Sequence, residues 1–166
     1  MSTHSINTRK AARRALSFHC TSCLKDELAR IDAAHRAGTL RQTGNWTPGE
    51  NLDHLALMWE FAFDGFPPEA KVPLPLRLIA RLMKGSMTSG KTLPAGFKIP
   101  NSASYMRPRA GCSYDDGMAR LRAVLDRVDR GERMTAPSPA FGAMTHDQWL
   151  RLHLAHAQLH LGFIAY

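Results

Sequence analysis

Three histidines recur along the last helix-forming stretch of the chain, in L-R-L-H-L-A-H-A-Q-L-H from Leu150 to His160. At about 100° per residue, Trp149, Leu152, His153, His156, His160 and Phe163 fall within one arc of roughly 100°. That arc is apolar apart from the imidazoles, so it is the face such a helix buries. Burying three imidazoles costs free energy unless each finds a partner, and a metal ion is the partner that suits the spacing. His156 and His160 are one turn apart, about 6 Å in rise, and can share an ion. His153 and His156, three apart, can do the same, whereas His153 and His160, about 10.5 Å apart in rise, cannot easily do so. The helix therefore supplies two ligands and a third must come from elsewhere. His54, inside a strongly apolar helix, is the natural candidate, because bundle metal sites are built from facing helices. Three imidazoles would leave a zinc-type site with a position open to water or substrate. The competing assignment is three core histidines bonded to backbone or aspartate.

The elements that must position these residues are marked by caps. Thr47-Pro48-Gly49-Glu50 joins a threonine N-cap, a proline at the first helical position and a glutamate completing a capping box. It predicts a helix to about Asp64, ending before Gly65, Pro67 and Pro68. Its polar residues Asp53, Glu60 and Asp64 form one narrow stripe, with His54 on the side of Leu57, Met58 and Phe61. A first helix is expected from about Arg9 to Ala37, stopping at Gly38. Ser113 with Asp116 starts another that carries Met118, Leu121, Leu125 and Val128 and stops at Gly131. Thr145 with Gln148 launches the histidine helix. Between Phe66 and Cys112 runs a long connection punctuated by Pro and Gly, with one short basic helix near Leu74 to Met83. Four long helices without a strand pattern predict an all-α four-helix bundle. Roughly 45 connecting residues allow helices two and three of that bundle to run parallel.

The 166 residues are expected to form a single domain over 1–166. No run approaches the ~18 apolar residues that span a bilayer. The formal charge is +8, but its arginines and lysines are scattered, with no motif for specific nucleic-acid recognition. The first 25 residues contain no acid and carry Arg9, Lys10, Arg13, Arg14 and Lys25, a transit-peptide composition. The apolar pattern of the first helix begins inside that stretch, so we expect it to be structural and the protein to be cytoplasmic. Cys20, Cys23 and Cys112 form no disulfide framework, and the lone Cys20-x-x-Cys23 is assigned to core packing. His4, His19, His35 and His146 read as surface or cap residues. Trp46, Trp59 and Trp149 read as packing anchors.

From about Arg14 to Phe163 the chain resembles the DinB/YfiT-like superfamily of metalloenzymes, in a small bacterial branch, and three segments carry the resemblance. They are G-N-W-T-P-G-E-N-L-D-H-L-A (Gly44 to Ala56), L-P-A-G-F-K-I-P (Leu93 to Pro100) and F-G-A-M-T-H-D-Q-W-L-R-L-H-L-A-H-A-Q-L-H-L-G-F (Phe141 to Phe163). The resemblance implies a four-helix bundle of up-down-down-up topology with the long crossover between helices two and three. It also implies a divalent metal, zinc or nickel, held by a histidine of the second helix and an H-x-x-x-H pair of the last. By position these are His54, His156 and His160, which leaves His153 beside the site. Many relatives continue the final histidine as H-R-G-Q, where this chain has His160-Leu161-Gly162-Phe163.

Characterised members of that superfamily include transferases and isomerases that use low-molecular-weight thiols. The expectation is a metal-dependent enzyme, a thiol (S-)transferase or a hydrolase, acting on a small molecule. His153 is the candidate general base, and Tyr105 and Arg107 are candidate substrate contacts. The alternative is a non-catalytic, metal-stabilised binding or stress-response module. No specific nucleic acid and no membrane is expected as partner, and a homodimer is compatible with the bundle.

Overall fold

A computed structural model describes residues 5–166; His4 lies outside them. The described chain is all-α apart from one sheet of two two-residue strands. Its elements are α1 (Thr21–Arg36), β1 (Arg41–Gln42), α2 (Pro48–Asp64), α3 (Leu74–Met87), α4 (Tyr114–Asp129), α5 (His146–Leu161) and β2 (Ile164–Ala165), with a 3-10 turn at Asn101–Met106.

Three of the four long helices begin where their caps predict. Thr47 Oγ1 accepts the Glu50 N–H while Glu50 Oε2 accepts the Thr47 N–H, closing the box that starts α2. Thr145 and Gln148 repeat this at α5, and Ser113 Oγ accepts the Asp116 N–H at α4. Each such cap stabilises its helix by about 1 kcal/mol.

α1 departs from the sequence expectation. It starts at Thr21 instead of Arg9, because the preceding segment is held elsewhere by hydrogen bonds distant in sequence. The Arg14 backbone N–H donates to Gly162 O at 2.8 Å, Arg14 Nε to Ile164 O at 2.6 Å and Thr43 Oγ1 to Ala12 O at 2.7 Å. This strap runs beside β2, which pairs antiparallel with β1 through Arg41↔Ala165 and Gln42↔Ile164. The small sheet and the strap thus tie the end of α5 to the approach to α2.

α2 is the central element, with α4 and α5 both packed against it and α1 against α5. Leu52, Leu55, Ala56, Trp59 and Ala62 of α2 are fully buried, as are Leu121 and Leu125 of α4. Burial of each leucine contributes roughly 1.5–3 kcal/mol. Two buried glycines let α2 and α4 touch through backbone. A Cβ on Gly117 would lie 2.4 Å from Gly49 O, and one on Gly49 would lie 2.3 Å from Cys112 O. This contact brings the chain leading into α4 against the first turn of α2, next to His54.

α3 is turned inside out. Its less exposed residues are Arg77, Ala80, Lys84 and Met87, and Lys84 Nζ donates to Ala143 O. Leu74, Leu76, Leu78, Ile79 and Met83 face outward, with Leu82 88% exposed. Among the described residues no helix is long and apolar enough to cross a membrane.

Candidate metal centre

α2 and α5 bring His54, His156 and His160 together, with one ligand atom from each lying within 4.8 Å of the others. His54 Nε2 and His156 Nε2 are 3.3 Å apart, which matches the edge of about 3.3 Å expected for two nitrogens on one tetrahedral zinc. His54 is 3% exposed, while His156 and His160 are half-buried.

Hydrogen bonds fix the tautomers of two of these rings. His54 Nδ1 lies 2.7 Å from Met106 O. A carbonyl can only accept, so Nδ1 carries the proton and Nε2 keeps its lone pair for the cluster. His160 Nδ1 lies 3.2 Å from Asn51 Oδ1. The orientation of that amide is set by its other end, since Asn51 Nδ2 donates to Trp46 O and Thr47 O, both at 3.1 Å. Oδ1 is therefore the acceptor, and His160 Nε2 is also left bare. A metal-binding histidine needs its second nitrogen held by such an acceptor. The donor set fits a divalent ion of borderline softness.

Electrostatics keep the rings neutral. Burial brings His54 down to about 4, against smaller upward pulls from the Met106 carbonyl and Asp53. His156 and His160 also lie well below the ordinary histidine value, through burial first and then neighbouring imidazoles. Neutral imidazole is the form that binds metal. Trp46 forms a wall, stacked on His160 at 5.4 Å between ring centroids and tilted against His54 at 4.7 Å. It borders the site as well as packing, unlike Trp59 and Trp149, which lie in the core.

His153 is not in the cluster. It is sandwiched between Trp59 and Trp149, with centroids at 4.8 and 5.2 Å. Neither of its ring nitrogens has a hydrogen-bond partner among the described residues, and burial pushes it down to about 3. The other histidines read as surface or cap residues divide. His19 and His35 are exposed, while half-buried His146 accepts the Met134 N–H through Nδ1.

The long crossover reaches the site through its backbone. The 3-10 turn ends in Met106, whose carbonyl holds His54, and its Tyr105 packs edge-on against Phe61. Arg107 instead ties the crossover to itself, donating to Asn101 Oδ1 at 2.9 Å. The anchor for this segment is Asp53, fully buried although the sequence pattern groups it with Glu60 and Asp64 on one polar stripe. It accepts from the Arg109 backbone N–H at 2.8 Å, Arg109 Nε at 2.9 Å and Arg120 Nη1 at 2.8 Å. These bonds outweigh the desolvation of its carboxylate and hold it below the usual range. Asn51, Met106 and the Asp53 clamp are the parts of the site that the sequence reading missed.

No curated protein and no solved structure matches the chain. A family model does match, over residues 10–166, under the description "Protein of unknown function (DUF1569)", and the chain belongs to that family.

Proposed function

We propose that residues 1–166 form a single DinB-like four-helix bundle of α1, α2, α4 and α5. In this reading His54, His156 and His160 bind a divalent metal, zinc or nickel, for a thiol (S-)transferase or hydrolase reaction on a small molecule. The observation that carries it is the locking of two imidazoles by Met106 O and Asn51 Oδ1, which leaves their Nε2 lone pairs free in a cluster of three histidines. A core histidine needs one hydrogen-bond partner but no convergence with two others. A divalent ion held by His54, His156 and His160 would supply a Lewis acid able to bring the pKa of a water or thiol towards neutrality.

The chain's own residues have distinct tasks. Met106 and Asn51 orient the ligands, and Trp46 shields one side of the cluster from water. Asp53 docks the crossover through Arg109 so that the Met106 carbonyl stays in reach. A base working near neutral pH needs a pKa near neutrality, which His153 at about 3 lacks. His153 therefore enters as a neutral group that stiffens α5 between two tryptophans.

The test uses zinc- and nickel-loaded protein, assayed for thiol addition to electrophiles with several low-molecular-weight thiols and for ester and amide hydrolysis. Turnover should vanish on chelation and in His156→Ala, and chelation should lower Tm, because a ligand bound only by the native state stabilises it. Metal-dependent Tm without turnover in any assay would favour the non-catalytic binding module.

A further inference from the structure

The sequence pattern assigns Cys20 and Cys23 to core packing; both are half-exposed, and Cys23 packs against the core while Cys20 does not. Cys20 is the N-cap of α1, in extended conformation, and its sulfur accepts the Cys23 N–H at 3.4 Å. Helix N-caps ordinarily use a side-chain oxygen from Ser, Thr, Asp or Asn; here a thiol takes that place. The two sulfurs are 2.7 Å apart, so a small side-chain rotation closes them to a bond of about 2.05 Å. Ser22 Oγ lies 3.0 Å from the Cys20 sulfur, and the first turn of α1 carries no acid.

A groove of about 490 Å³ is lined by the strap as far as His19, one residue short of Cys20. One wall is the strap from Leu16 to His19, the residue preceding Cys20, and the other carries Lys91, Thr92 and Arg151. Its charged side chains are cationic, and none of the three clustered histidines lines it.

We propose that Cys20 and Cys23 form a dithiol–disulfide exchange site for small anionic disulfides, taken up in this groove. Cys20 is the attacking thiol. Hydrogen bonds from Cys23 and Ser22 lower its pKa, whereas burial raises that of Cys112. Thiolates at helix N-termini are favoured in the same sense. The Cys20 thiolate attacks one sulfur of RSSR, forming the Cys20–SR bond and breaking the S–S bond. The departing RS⁻ takes up the proton Cys20 released. Deprotonated Cys23 then attacks the Cys20 sulfur and expels the second RS⁻, which takes up the proton from Cys23. In sum two protein thiols and RSSR give a Cys20–Cys23 disulfide and two RSH. The protein loses two electrons and two protons and the small disulfide gains them. Two small thiols run the cycle in reverse.

The experiment exposes the reduced full chain to oxidised glutathione, or to uncharged hydroxyethyl disulfide, followed by acid quench, alkylation and peptide mass analysis. The expected result is loss of two hydrogens from the peptide holding Cys20 and Cys23, with Cys112 still alkylated. Cys23→Ser should accumulate a glutathione adduct on Cys20, and Cys20 should be modified about tenfold faster than Cys112. Lys91→Glu should slow oxidation by oxidised glutathione about threefold and leave hydroxyethyl disulfide unaffected. Modification of Cys20 no faster than Cys112, or no Cys20–Cys23 disulfide at any glutathione ratio, would overturn the exchange site. Equal effects of Lys91→Glu on both probes would overturn the groove as the binding surface. The wild-type measurement needs no variant, so misfolding cannot imitate a negative result.

Discussion

At the scale of single residues, the chemistry turns on which nitrogen of each imidazole carries a proton. Asn51 decides this for His160, and its amide is held by two backbone carbonyls at the start of α2. Asn51→Ala should weaken metal binding by roughly tenfold, as measured by competition with a chelator. It should also cost about 1–2 kcal/mol of stability, because Trp46 O and Thr47 O lose a donor. Unchanged affinity in a folded Asn51→Ala protein would mean that His160 is not oriented for a metal. The histidines were legible in part: spacing left His153–His156 and His156–His160 open as pairs, His54 was suggested by its apolar helix, and the resemblance chose His54, His156 and His160. Asn51 and Met106 were not. Met106 acts through a backbone oxygen that leaves no mark on side-chain pattern, and it lies 52 positions from His54. Asp53 misled for a related reason, because periodicity tells which residues share a stripe and not that Arg109 and Arg120 close over one of them.

At the scale of elements, the helix starts at Thr47, Ser113 and Thr145 were readable because a cap is a local event, complete within four residues. The start of α1 was not, because the apolar pattern continues back to Leu16 while the backbone of Arg14 is bonded to Gly162, across the chain. The crossing of α2 and α4 was equally hidden, since a glycine in a helical pattern reads only as a weak position. Its cost can be measured. Gly117→Ala would place a methyl group 2.4 Å from Gly49 O, and α2 and α4 would have to part. Destabilisation of about 1–3 kcal/mol should follow, at the level of overpacking, with a lower urea midpoint. Any gain in stability, as helix propensity alone would give Ala over Gly, would show that the two helices do not meet there.

At the scale of the molecule, the surplus of charge has an address. Between Glu69 and Asp115 there is no acid, and the eight cations of that interval equal the whole formal charge of +8. Scattered basicity in the sequence is thus concentrated in α3 and the crossover. The rest of the surface is balanced by pairs such as Arg127 with Asp64 and Glu132, where Arg127 Nε and Nη1 donate at 2.9 and 2.8 Å. Arg127 holds both carboxyls below their ordinary values of 3.8 and 4.5. Depressed folded-state values mean that the contribution is fully present above the unfolded values and is lost as pH falls through the folded ones. Arg127→Met should therefore be less stable than wild type at neutral pH, with the difference shrinking below about pH 4. Urea unfolding at pH 7 and pH 3 reads this directly, and a constant difference across that range would remove the ion pairs from the account.

The central claim is that three histidines of two helices hold one metal ion, and elemental analysis of protein purified without a polyhistidine tag tests it most directly. The wild type, after incubation with zinc or nickel, should carry close to one ion per chain, and a His156→Ala, His160→Ala double variant close to none. Equal metal in both, or none in the wild type at saturating zinc and nickel, would contradict the claim and return the histidines to the core.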